Sequence, residues 1–451
     1  MRKHILLFAV LGAAGALLLG ACTAKETQPE VAAPEVVSFD AYLNRGVATK
    51  AGTPGELTLD GATSLQTLGF GVFGYYTNDV LYSQAFLPNF MYNEKVSYST
   101  DHWTYEIPKY WPNEYGSNAE SENVDRVSFF AYAPWVDVEP STGLVKDTPL
   151  DLGITKVTRA TDSGDPKVSY KASFTPANCV DLCWGVAGEA FSAALDASGE
   201  GKNNVTAGDP YLNIAKLSTG QKIKFNFKHA LAALNVQIDA AVDAAIPGNA
   251  VDTDTRIYVR SVTFQGFATE GQLNLNSSAA YPVWRNYDGN GTVSTAPATI
   301  YDGRRDGREA NAEATTEVPQ GLNPAIVQAS LNTQAGVTKE AVNLFDPGTG
   351  DANTPIYVVP NDDVLKVTIV YDVETVDPDI LSTYLSDGST HGSVIENVIT
   401  QVVKDSSGDE MTMVPGKKYT LKLHLGMASA QFTGEVANWE TGASVEANLP
   451  Q

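Results

Sequence analysis

Histidine, cysteine, tryptophan and closely spaced carboxylates are the residues through which this chain could do chemistry. Past its first 22 residues it holds four histidines, His102, His229, His391 and His424. An HExxH pair would put two imidazoles on one face of a helix for zinc, and none of the four has such a neighbour, so metal ligation by them is not expected. Cys179 and Cys183 are spaced CxxxC rather than the redox-active CxxC. On one strand they would share a face about 13 Å apart, at ~3.3 Å per residue. A disulfide needs Cα atoms within about 7 Å, which favours two small buried apolar residues over a bridge. No GxSxG elbow, phosphate loop or strand-borne GxGxxG is present, and GEGK at 199–202 lacks the Ser or Thr and the spacing of a phosphate loop. Asp288 and Asn290 with their glycines match part of a calcium loop, without the carboxylates that complete one. The many other acidic residues show no pairing that identifies a glycosidase. Trp103, Tyr110 and Trp111 could form a carbohydrate-stacking platform, or could cap one end of a core with their polar tips in water. Neither an enzyme nor a cofactor or metal is expected.

The whole chain sets wider bounds. Its 451 residues exceed one ordinary core and suggest two or three domains. Lys plus Arg number 30 against 53 Asp plus Glu, a formal net charge of −23, and loss of Arg2 and Lys3 with a leader would make it more negative. Nucleic acid is not expected as a partner, because phosphate binding needs basic stripes. Twenty Tyr, 38 Gly and 23 Pro, with short apolar runs between turn residues, point to an all-β protein of sandwich type.

The elements follow in chain order. Arg2, Lys3 and His4 precede an apolar run from Ile5 to Leu19, and Leu19-Gly20-Ala21-Cys22 closes it. A short basic start, a short apolar stretch and small residues mark an export signal. The final cysteine resembles the lipobox of bacterial lipoproteins, which implies cleavage after residue 21 and lipid on Cys22. Residues 22–35 read as a flexible tether. Val37, Phe39, Ala41 and Leu43 then alternate with polar neighbours as one clear strand. Arg45-Gly46 and Lys50-Ala51 follow in a Gly-rich loop, which is either an ordinary solvated loop or a ready site for a trypsin-like protease.

Further strands are expected in the aromatic stretches 68–76, 90–98 and 127–134, in KVSYKASF at 167–174 and in CVDLCWGVA at 179–187. In QKIKFNFKHALAALNVQID at 221–239 the apolar residues move from odd to even numbers between Phe227 and Leu234. Such a shift needs an extra residue, so two strand segments joined through a bulge fit it. A helix from His229 to Ile246 is the rival reading. A domain boundary is placed near Leu217–Gln221, giving an N-terminal β-sandwich domain at 36–218 and a C-terminal one at 219–451. Residues 257–276 read as a hairpin, 285–350 as a long loop insertion, and 378–403 as a short helix and a strand. Strands are also expected at 356–360, 365–373 and 417–426, and AQFTGEVANWETG ends the patterned chain.

FGVFGYY, FMYNEKVSY, KYWP, FFAYAP, FKHALAALNV, IYVVP, GKKYTLKLHLG and VANW occur in that order. Together they resemble the fimbrillin family of the Bacteroidales, in its minor-fimbrium-like branch. The resemblance implies two transthyretin-like β-sandwich domains in tandem, and an outer-membrane lipoprotein precursor that becomes a structural or adhesive subunit of a type V pilus. It also implies that a trypsin-like protease cuts at Arg45, with Lys50 as the substitute, so that the strand bearing Val37, Phe39, Ala41 and Leu43 leaves. A donor strand from another subunit, the stretch from about 431 to 451 with Phe432, Val436 and Trp439, would fill the vacated groove. The implied partners are other pilus subunits, the protease, and a host or bacterial surface receptor. An alternative is a non-polymerising surface lipoprotein that binds glycan or protein as a tip adhesin or anchor.

Overall fold

Alternation of apolar and polar residues builds nearly every element of the computed structural model, which is all-β. The structure describes residues 35–43, 56–58, 63–78, 80–112, 125–146, 152–190, 205–217, 219–240, 255–285, 293, 295–302, 326–328, 342–345, 355–381, 391–405, 407–425 and 430–438. The first strands are β1 (Phe39–Leu43), β2 (Phe70–Thr77), β3 (Met91–Ser99), β4 (His102–Thr104), β5 (Arg126–Ala133), β6 (Gly153–Val157), β7 (Lys167–Lys171), β8 (Cys183–Ala187) and β9 (Tyr211–Ile214). A one-turn helix α1 (Leu65–Leu68) precedes β2. The middle strands are β10 (Ile223–His229), β11 (Ala232–Ala240), β12 (Thr255–Gln265), β13 (Glu270–Ser278), β14 (Tyr281–Arg285), β15 (Ala298–Asp302), β16 (Ile326–Gln328) and β17 (Val342–Asn343). The last are β18 (Ile356–Val358), β19 (Lys366–Leu381), β20 (His391–Val402), β21 (Lys417–Leu425) and β22 (Ala430–Asn438). Among the described residues no helix is long and apolar enough to cross a membrane.

Four sheets result. The largest runs β1-β10-β8-β5-β2-β3-β4, with β9 beside β5. Its strands are two-faced. Phe70, Val72, Val127, Phe129, Phe225 and Phe227 enter one apolar cluster, together with all four buried residues of the N-terminal strand. Phe73, Tyr75, Phe130, Tyr132, Trp184 and Val186, on the alternate positions, enter a second cluster that continues through the rest of the molecule. That second face packs on a sheet of order β14-β13-β7-β6. The other two sheets run β17-β11-β21-β22 and β15-β12-β19-β20.

The parity shift in 221–239 has a different cause from a bulge. β10 pairs with β1 and β8 in the first sheet, whereas β11 pairs with β18 and β21 in another. The chain changes sheet at Ala230–Leu231, downstream of the boundary placed at 217–221, and both segments are strands rather than helix. Strands from the two halves also share a sheet, since β7 pairs antiparallel with β13. Residues 257–276 do not form the expected hairpin: β12 pairs with β19 and β13 with β7 and β14. Consecutive strands need not pair when each has a better-buried partner elsewhere. Only Cys183–Ala187 of the 179–187 run is strand, and Cys179 follows a 3-10 turn at Pro176–Asn178. Among the described residues 378–403 holds no helix; β19 runs on to Leu381 and β20 begins at His391. Within the expected loop insertion the described residues form the short strands β15, β16 and β17.

Candidate functional site

The first strand among the described residues, β1, is built into an apolar core. β1 pairs parallel with β10, Phe39 opposite Ile223 and Leu43 opposite Phe227. Just before it, the Val37 amide donates to the Lys109 carbonyl at 2.8 Å, and the Trp111 amide to the Glu35 carbonyl at 2.9 Å. The Tyr105 hydroxyl donates to the Val37 carbonyl at 2.6 Å. Burial pushes the Tyr105 phenol up to about 12, which keeps it a donor at ordinary pH. The strand is thus held by main-chain bonds on both flanks at its start and by β10 along its length.

Its side chains alternate as the sequence requires. Val37, Phe39, Ala41 and Leu43 are buried, while Ser38, Asp40 and Tyr42 are half-buried. Phe39 is the hub: its ring lies 5.7 Å from those of Tyr105 and Phe129, 6.0 Å from Phe225 and 6.5 Å from Phe70. Burial of Val37, Phe39 and Leu43 stabilises the docked strand by roughly 5–9 kcal/mol, at about 1.5–3 kcal/mol for each side chain. That is comparable to the whole stability of an ordinary domain, so this slot is not a surface that can stand empty in water.

Past Leu43, description resumes at Glu56. Lys418 of β21 forms an ion pair with Glu56 at 3.0 Å. The Leu57 amide donates to Asp181 Oδ2 at 3.2 Å. Glu56 and Leu57 are therefore tied both to β21 and to the residues just before β8.

Asp181 belongs to a second constellation. His229 Nδ1 lies 2.6 Å from its Oδ2, and both side chains are fully shielded from solvent. Cys183 Sγ lies 3.5 Å from the same His229 nitrogen and 3.8 Å from the same Asp181 oxygen. Cys183 and His229 face each other on adjacent strands, and Asp181 lies two residues before Cys183. Sequence reading missed this group because its members are separated by up to 48 positions. Cys183 opens β8 and His229 closes β10, positions that only the paired strands reveal.

The other expected residues fall as follows. Cys22, Arg45, Gly46, Lys50, Ala51 and Trp439 lie outside the described residues. Phe432 and Val436 fall in β22, which pairs antiparallel with β21 from Lys417 to Leu425, so this stretch is a strand of the chain's own sheet. Trp103 and Trp111 are buried in the cluster that β1 completes, and only Tyr110 of that trio is exposed. The aromatic group therefore caps the core and is not a carbohydrate platform. Cys179 and Cys183 form no disulfide, and burial pushes Cys179 up to about 12. His102 is exposed beside Asp101.

No family model matches the chain. It is 23% identical to fimbrium subunit Fim1C of Phocaeicola vulgatus over 454 residues, covering 96% of each chain. A crystal structure of a fimbrial protein from Bacteroides vulgatus covers 90% of this chain and 99% of its own at 18% identity, with a TM-score of 0.48. A structure of a proposed cell adhesion protein from Parabacteroides distasonis covers 91% and 98% at 12% identity, with a TM-score of 0.41. Similarity to a fimbrium subunit along nearly the whole of both chains bears out the resemblance of this chain to the fimbrillin family of the Bacteroidales.

Proposed function

We propose that the chain is a structural or adhesive subunit of a surface fimbria, exported as a lipoprotein through Cys22 and assembled by exchange of its N-terminal strand. The observation that carries this reading is the docking of β1. The first strand among the described residues fills an aromatic slot, and Arg45 and Lys50 follow it in the sequence. Cutting there by a trypsin-like protease turns β1 into a separate peptide held only by burial and hydrogen bonds. A strand from another subunit with suitably spaced side chains then competes for the same slot by β-augmentation. Phe432, Gly434 and Val436 repeat the large-small-large order of Phe39, Ala41 and Leu43, which suits this stretch to the donor role. Other subunits, the protease and a surface receptor are the partners of this reading. The outer membrane holds the precursor by its lipid, and the assembled form lies in the surface fimbria.

One observation favours a second reading, in which the protein ends or anchors a fimbria or binds glycan or protein without polymerising. β22 is paired along its length with β21, so donation requires it to detach from its own sheet.

Intact mass and N-terminal sequencing of protein sheared from cells, beside the cell-retained fraction, separate the two. Assemblies of high mass that begin at Gly46 or Ala51 are expected. Protein found solely as a lipid-bearing monomer starting at Cys22 would overturn the exchange mechanism and leave the second reading.

A further inference from the structure

We propose that Asp181, Cys183 and His229 form a site for a borderline-soft divalent cation, with zinc the best match to the ligand chemistry. This inference does not rest on the assembly reading. The three ligand atoms, a carboxylate oxygen, a thiol sulfur and an imidazole nitrogen, lie within 4.8 Å of one another in a buried setting. Zinc takes Cys, His and Asp ligands at about 2.3, 2.0–2.1 and 2.0–2.2 Å, which places tetrahedral neighbours roughly 3.3–3.6 Å apart. The observed separations from sulfur are 3.5 Å to His229 and 3.8 Å to Asp181. The 2.6 Å between His229 and Asp181 is the one that must widen, by roughly 0.7 Å on the same geometry.

The strands supply the arrangement. Cys183 and His229 are register partners on β8 and β10, so their side chains leave the sheet on the same side. Asp181 is aimed by backbone donors: the Leu182 amide binds its Oδ1 at 2.8 Å and the Leu57 amide its Oδ2 at 3.2 Å. Such supporting bonds fix the orientation of a metal's ligands. A thiolate, a carboxylate and a neutral imidazole around a doubly charged cation sum to zero, the condition under which ionic groups are least costly to bury.

A Cys-His-Asp group also invites a nucleophile reading, which the geometry excludes. In a relay the nucleophile uses one ring nitrogen and the carboxylate the other. Here both Cys183 and Asp181 approach Nδ1. Three ligand atoms from three side chains that lie mutually close, within 4.8 Å of one another, are instead what a shared cation requires. The site adjoins the slot: β1 ends opposite Phe227, two residues before His229 on β10, and Leu57 touches Asp181 directly.

The test is metal analysis of the mature chain purified without an affinity tag, followed by stripping with a chelator and reconstitution with cobalt(II). Stoichiometric zinc, or stoichiometric cobalt with a thiolate-to-cobalt charge-transfer band in the near ultraviolet, is expected. Cys183→Ser should lose the band and Cys179→Ser should keep it. Stripping should also lower Tm in the wild type and leave it unchanged in Cys183→Ser. Wild-type protein that binds neither ion and gives no band overturns the site whether or not the variants fold. Equal binding by Cys183→Ser and wild type overturns it too, leaving Asp181 and His229 as a plain buried pair.

Discussion

Phe39 concentrates in one residue much of what holds the N-terminal strand. Its ring meets four other aromatic rings and is 1% exposed, so Phe39→Ala removes a large volume that rigid neighbours cannot refill. A loss of about 3–5 kcal/mol is expected, measured as a lower urea midpoint of the uncut chain. Phe39→Leu keeps most of the volume and should cost distinctly less. The apolar alternation of Val37, Phe39, Ala41 and Leu43 was legible because a half-buried strand has period two. The fate of Trp103 and Trp111 was not, since an aromatic side chain suits a wet platform and a core rim equally and only its neighbours decide. Asp181, Cys183 and His229 were illegible for another reason: their meeting depends on the pairing of β8 with β10, which no local spacing encodes.

At the scale of the element, β1 continues in sequence into the segment that carries Arg45 and Lys50, and is held by its slot. Replacing both basic residues, Arg45→Ala with Lys50→Ala, removes the bonds a trypsin-like protease recognises while leaving the slot residues intact. The doubly substituted protein is expected to stay cell-bound and monomeric, as read by its absence from the sheared high-mass fraction. Its thermal stability should match the wild type within about 0.5 kcal/mol, because neither substitution changes a residue of the slot. Shedding and assembly at the wild-type level would place the cut elsewhere. The existence of most strands could be read from alternation, yet their partners could not. β12 and β13 are neighbours in sequence and lie in different sheets, because the chain pairs each strand where its apolar face is best covered.

Across the whole molecule, burial of weakly acidic groups sets a dependence on alkaline pH. Desolvation pushes Cys179 from 9.0, and Tyr105 and Tyr419 from 10.0, up to about 12 in each case. Tyr170 and Tyr357 are raised as well, again chiefly by burial. Between those limits the folded chain keeps protons that the unfolded chain releases, so stability is full below about pH 9 and falls as pH rises toward 12. A urea midpoint lower at about pH 11 than at about pH 8 is expected, and an unchanged midpoint would mean that these groups titrate freely in the folded state. Tyr105 adds a local consequence: ionisation removes its donated bond to the Val37 carbonyl, so the grip on β1 weakens in the same range. By itself the sequence determined an all-β chain whose first patterned strand carries Val37, Phe39, Ala41 and Leu43 on one face, because period-two alternation is a local property. Tertiary structure alone decided that the chain changes sheet at Ala230–Leu231, that strands β7 and β13 from opposite halves share a sheet, and that a carboxylate, a thiol and an imidazole converge behind β1. Those outcomes follow from which apolar faces cover one another, a competition among distant segments that is settled only when the whole core closes.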